Sequence, residues 1–168
     1  QAAAHGASPG RLLRPDEGLL EVGVGDWSGL TLDEVDRRWP AEHAAWRRDP
    51  VATTPPGGEA LQAADRRVRA AIPGLVERLA TPAAVSSAGP DGPADARPWS
   101  IVVAHGGILR LLLFALLDLP LDRFWAFPFA LASVSVVRLD SGRAALDAHN
   151  LAEHLAGLDA SGAGLRAF

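Results

Sequence analysis

His105, Gly106 and Gly107 stand at a place where a chain can do chemistry on an anion. The four residues before them, Ile101 to Ala104, form a short apolar run that reads as a buried strand. The residues after them, Ile108 to Leu119, form an apolar run too long for a strand and read as a helix. Strand, tight glycine turn and helix open a parallel α/β unit. In such sheets ligands bind beyond the carboxyl ends of the strands, where helix N-termini offer free N–H groups to anions. His105 falls at that point. The other reading of the same residues is a turn histidine that only caps the helix.

Two nearby patterns fail on chemical grounds. His5-Gly6 is a second His-Gly pair, but nothing strand-like precedes it. Gly6-Ala7-Ser8-Pro9-Gly10 matches the G-x-S-x-G nucleophile elbow. That elbow needs the backbone N–H of the residue after serine for its oxyanion hole, and Pro9 has none. An esterase reading of His105-Gly106-Gly107 fails on chain order, because no elbow follows residue 107.

Composition narrows the classes further. A chain of 168 residues suits one domain with a real core. The absence of cysteine removes disulfides, a thiol nucleophile and thiolate metal sites. A net charge of −4 argues against nucleic acid as a partner. The longest apolar run, Ile108 to Leu117, is interrupted by Arg110 and is too short to cross a bilayer. The N-terminus lacks the pattern of a signal peptide, so the expected location is cytoplasmic. All 16 basic residues are arginine, and lysine, tyrosine and methionine are absent. Those three residues use A/T-rich codons, so this bias reflects GC-rich coding DNA rather than function. The missing methionine implies processing, or sequence upstream of Gln1.

The elements that must position His105 follow from periodicity and punctuation. Gln1 to Ala4 reads as the last turn of a helix, and Arg11 to Arg14 as a short strand. Leu19 to Thr31 is too glycine-punctuated for a regular helix. Thr31 with Glu34 forms a capping box that opens a helix over 32–39. Pro40 breaks that helix, and Glu42 to Arg48 forms another. Apolar residues recur at three and four from Glu59 to Leu79, predicting an amphipathic helix kinked at Pro73-Gly74. Thr81 to Pro98 has almost nothing to bury and is expected to be a mobile loop whose deletion leaves stability nearly unchanged. Pro120 ends the helix after His105, and Phe124 to Phe129 packs the core. Ala132 to Leu139 and Arg143 to Ala148 form a hairpin. The domain runs over 1–155, and 156–168 is a tail.

LLEVGVGDWSGLT (19–31), PPGGEAL (55–61) and VVAHGGILR (102–110), in that order and spacing, resemble the histidine phosphatase superfamily, the phosphoglycerate-mutase-like proteins. The likeness covers nearly the whole chain. Trp39-Pro40, Trp46, Arg67, Asn150 and His154-Leu155 agree with it. It implies an α/β three-layer sandwich, a mostly parallel sheet with helices on both faces. It also implies a phosphomonoesterase acting through a phosphohistidine on a small phosphorylated metabolite. One histidine attacks phosphorus, a second histidine and arginines hold the phosphoryl oxygens, and a carboxylate protonates the leaving alcohol. His105 matches the second histidine, and Gly106 and Gly107 would let the backbone approach the phosphate. Glu21 matches the proton donor, against the plainer reading of a solvated loop glutamate. Trp27 reads as a structural plug, and Glu59 and Arg67 as capping and ion-pair residues. No cofactor or metal is implied, since the five histidines lack ligand spacing. A homodimer is compatible with the resemblance.

The chain also departs from the family's pattern. The family's Arg-His-Gly, whose histidine is the nucleophile, is absent, and so is its second phosphate-binding arginine. Ser28 replaces a usual glutamate, and Leu131 stands where asparagine is common. The expected picture is therefore the carboxyl-terminal two-thirds of such an enzyme, lacking its N-terminal strand and inactive alone. The short interval from Pro40 to Glu59 favours hydrolysis over mutase-type transfer. A non-catalytic protein of the same fold, binding an anion or a partner, is the remaining alternative. His105 and Glu21 are expected at one end of the sheet, facing one cleft.

Overall fold

The computed structural model describes residues 14–80, 99–140 and 142–156. The expected helical turn at Gln1 to Ala4, the strand at Arg11 to Arg14 (but for Arg14), the 81–98 loop and nearly all of the tail lie outside them. Among the described residues four helices and a hairpin make the frame: α1 Leu32–Arg38, α2 Pro40–Arg48, α3 Leu61–Ala80, α4 Gly106–Leu117, β1 Val134–Asp140 and β2 Arg143–Leu151. Short 3-10 turns at Glu17–Leu19, Gly25–Trp27, Leu121–Ala126 and Glu153–Leu155 join them.

The start of α1 follows the capping chemistry of the sequence. The Thr31 hydroxyl accepts the Glu34 N–H, and the Glu34 carboxylate accepts the Thr31 N–H at 2.8 Å. Thr31→Ala is expected to lower stability by about 1 kcal/mol. The shift of the urea midpoint measures this, and an unchanged midpoint would mean that water replaces the cap.

Pro40 both ends α1 and opens α2 as its first residue, where its missing N–H costs nothing. Helix α3 passes through Pro73 without interruption. The end of α4 is set earlier than Pro120. Asp118 adopts a left-handed conformation (φ 53°) and donates its N–H to the Phe114 carbonyl.

The main core lies between α3 and α4. Leu61, Ala64 and Val68 of α3 pack against Ile108, Leu111 and Leu112 of α4, and Phe124 closes the cluster. A second cluster, Trp27, Val35 and Trp46, ties the 19–31 segment to α1 and α2. Within it His43 is buried, its Nδ1 hydrogen-bonded to Asp36 and its ring edge-on to Trp27.

The sheet differs from expectation. Among the described residues it has two strands only, β1 and β2, paired antiparallel with Leu139 opposite Ala144 and irregular steps near Val136. Ile101 to Ala104 has no regular secondary structure, because no described strand lies beside it to complete a ladder. Its burial still alternates as in a strand. Ile101 and Val103 are 74% and 87% exposed, while Val102 and Ala104 pack on the α3–α4 core.

Candidate active site

The first turn of α4 is the centre of the site. Gly107, Ile108, Arg110 and Leu111 to Phe114 are buried, so this helix end is fixed by the core behind it. His105 is the N-cap residue, with extended backbone, but its imidazole makes no capping hydrogen bond and is exposed. The capping role suggested for it as an alternative therefore belongs to another residue.

That residue is Glu21. Its Oε1 accepts the Ile108 N–H at 3.1 Å and its own neighbour Val22's N–H at 2.8 Å. Its Oε2 accepts the Gly107 N–H at 3.4 Å. A carboxylate placed here meets the positive end of the helix dipole and uncompensated N–H groups. Gly107 has a specific part in this. A Cβ there would stand 2.7 Å from Glu21 Oε1, so any side chain would push the carboxylate away. Its backbone N–H faces Glu21 in this structure.

The PPGGE motif serves as a seat for the segment that carries Glu21. Gly25 (φ 55°) places the Asp26 N–H on the Pro56 carbonyl at 2.9 Å, and a Cβ on Gly25 would lie 2.1 Å from that oxygen. A Cβ on Gly58 would lie 2.7 Å from the Gly23 carbonyl. Two stretches of backbone touch here with no room for side chains. Glu59 and Arg67 form the ion pair expected of them, at 2.8 Å.

Arg110 is a contributor that sequence reasoning left as a mere interruption of an apolar run. It is 6% exposed, and its Nε donates to the Phe127 carbonyl at 2.9 Å. The guanidinium lies over the Phe124, Trp125 and Phe129 rings, 4.7, 5.2 and 5.7 Å from their centres. Its Nη1 has no hydrogen-bond partner among the described residues. Burial pushes its pKa below the ordinary arginine value, and the charge of Glu21 works the other way. A buried cation thus stands within electrostatic reach of the Glu21 carboxylate. A lone arginine within an otherwise apolar helix was the available signal.

Asn150 and His154, the other residues shared with the family pattern, brace the hairpin. The Asn150 Oδ1 accepts the Ala130 N–H at 2.6 Å, and the His154 Nε2–H donates to the Ala132 carbonyl at 3.0 Å. Trp27 is wholly buried. Among the described residues no cluster of three histidine, aspartate or glutamate side chains is arranged to hold a metal ion.

The candidate site is thus a buried helix whose first N–H groups are met by a carboxylate, with an exposed histidine at its cap. The chain belongs to the histidine phosphatase superfamily: the family's branch 1 pattern matches residues 1–152. It is 35% identical to a glucosyl-3-phosphoglycerate phosphatase of Mycolicibacterium vanbaalenii over 139 residues, 82% of this chain and 56% of that protein. It is 27% identical to phosphoserine phosphatase 1 of Hydrogenobacter thermophilus, over 83% of this chain and 59% of that protein. Among solved structures, a mycobacterial glucosyl-3-phosphoglycerate phosphatase in complex with inorganic phosphate superposes with a TM-score of 0.63. That match has 31% identity and covers 82% of this chain and 64% of the other. The chain thus spans little more than half the length of the curated relatives it matches. No helix among the described residues is long and apolar enough to cross a membrane.

Proposed function

We propose that these residues form the carboxyl-terminal part of a phosphomonoesterase that works through a phosphohistidine on a small phosphorylated metabolite. The observation that supports this best is the seating of Glu21 on the first turn of α4, beside His105. Glu21 lies 87 residues before Ile108 in the chain, yet it bonds that residue's N–H.

In this reading a histidine from sequence preceding Gln1 attacks phosphorus. A P–N bond forms as the ester P–O bond breaks, and the leaving alkoxide takes its proton from Glu21. Water then gives a proton to the Glu21 carboxylate and attacks the phosphohistidine, the P–N bond breaks, and inorganic phosphate leaves. His105 as imidazolium, with the Gly106 N–H that Glu21 does not take, balances charge on the phosphoryl oxygens. Glu21 Oε1 takes the two shorter hydrogen bonds, which leaves Oε2, with its single 3.4 Å contact, as the less engaged oxygen and the one open to the leaving group. The same upstream segment would pair with Ile101 to Ala104 and make it a strand of a mostly parallel sheet. The substrates named for the relatives, a phosphoglycerate derivative and phosphoserine, share a phosphate ester on a small polar alcohol. That is the substrate class proposed here. The short stretch between Pro40 and Glu59 supports hydrolysis over transfer to a second hydroxyl.

The test compares the full-length protein with the 168-residue chain on para-nitrophenyl phosphate. Turnover through an acid-labile phosphoenzyme is expected from the first, and neither from the second. Turnover by the 168-residue chain that His5→Ala abolishes would overturn the proposal and make His5 the acceptor. Phosphate binding without turnover in the full-length protein would favour the non-catalytic alternative.

A further inference from the structure

The chain's own geometry shows how Glu21 is held, and it points to a pair of residues outside the site. Arg67 lies on α3 between the buried Ala64 and Val68, so its backbone belongs to the rigid core. Its Nη1 donates to the Leu20 carbonyl at 2.8 Å, the Gly18 carbonyl at 3.0 Å and, more weakly, the Glu17 carbonyl at 3.5 Å. Its Nε and Nη2 grip the two oxygens of Glu59 at 3.2 and 2.8 Å. Glu59 in turn bonds Gly23 twice. Its Oε2 accepts the Gly23 N–H at 3.3 Å, and its own N–H donates to the Gly23 carbonyl at 2.7 Å. The chain on both sides of Glu21 is therefore tied to one ion pair, at Leu20 before it and at Gly23 after it.

We propose that the Arg67–Glu59 pair is a positioning device for the proton donor, clamping the backbone around Glu21 so that its carboxylate reaches the first turn of α4. The proposal rests on the reading of Glu21 as the general acid. A planar guanidinium suits this work, because it can fork onto a carboxylate while a third N–H group reaches backbone carbonyls in another direction. An ammonium in its place could not make both sets of bonds. Both side chains are about three-quarters buried, which limits screening of the pair by solvent. Burial pushes the Glu59 carboxyl up, but hydrogen bonds from Arg67 and the Gly23 N–H, with the Arg67 charge, outweigh it and hold the group below its usual value. Glu59 is thus kept ionised as the fixed end of the clamp.

The experiment exploits the leaving group. A general acid matters for an alkyl phosphate, whose alkoxide must be protonated as it departs. It matters little for para-nitrophenyl phosphate, whose phenolate leaves unaided. In the full-length protein, Arg67→Met and Arg67→Lys are expected to lower kcat/KM for glycerol phosphate by about 10²-fold, in line with loss of general-acid catalysis. For para-nitrophenyl phosphate the expected change is under about threefold on the same scale of effects. Glu59→Gln keeps the shape and removes the charge, and should show the same selective loss more weakly. It also covers the case in which an Arg67 variant does not fold. Equal loss on both esters would reduce the pair to a general stabiliser of the fold, and loss on neither would remove any role. Glu21→Gln separates the two readings. If it shows selective loss and the Arg67 and Glu59 variants do not, the clamp is wrong. If Glu21→Gln itself shows no selectivity, the assignment of the acid fails, and the clamp with it.

Discussion

His105→Ala in the proposed longer enzyme is expected to reduce kcat/KM for phosphate esters by about 10²–10³-fold, the usual loss when one preorganised charge-stabilising group is removed. The structure makes this a clean measurement. The imidazole is exposed, makes no capping bond, and precedes a helix whose first turn is fixed by the buried residues Gly107 and Ile108 and by Glu21. Little of the fold depends on it, so the urea midpoint should move by less than about 0.5 kcal/mol equivalent. His105→Asn keeps a hydrogen-bond donor but loses the positive charge, and should retain part of the activity if donation contributes beside charge. A loss below about threefold for alanine would remove His105 from the proposed chemistry, measured against the same scale.

Local rules read well where the deciding groups are close in sequence. The Thr31–Glu34 capping box, the start of α4 after His105 and the hairpin around residue 142 each depend on a few neighbouring residues, and each is present. Long-range pairing was harder to read. The run Ile101 to Ala104 has a strand's composition and a strand's alternating exposure, but a strand also requires a partner, and none of the described residues supplies one. Pattern predicts which faces want burial; it does not supply the neighbour.

The site shows the same division. Pairing Glu21 with the His105 turn came from the family resemblance, not from any local signal. Glu21 sits in a segment with no regular secondary structure, and its placement depends on glycines whose value lies in what they leave out. Gly107, Gly25 and Gly58 each admit an atom that a Cβ would exclude. Arg110 and His43 were silent for a related reason. A charged residue in an apolar helix and a histidine in a short polar one look ordinary until the rings of Phe124, Trp27 and Trp46 are placed around them.

Trp27→Ala is expected to be the most damaging single change to stability, at about 3–5 kcal/mol. Trp27 is wholly buried and stands edge-on to His43 at 5.4 Å and to Trp46 at 5.7 Å. Trp46 of α2 continues the chain of rings to Trp125, in the turn that follows α4, at 4.8 Å. Removing Trp27 empties a site walled by the stiff aromatic groups of His43 and Trp46. Those walls cannot easily collapse, which puts the cost at the upper end. Trp27→Phe should cost less than half as much, for two reasons. A ring remains to keep the edge-on contacts, and the buried Trp27 Nε1, which has no hydrogen-bond partner among the described residues, is no longer carried into the core. Urea unfolding of the two variants, followed by far-ultraviolet circular dichroism, measures both changes. An alanine variant within about 1 kcal/mol of the parent would mean that the cluster repacks freely, contrary to the rigidity argued here.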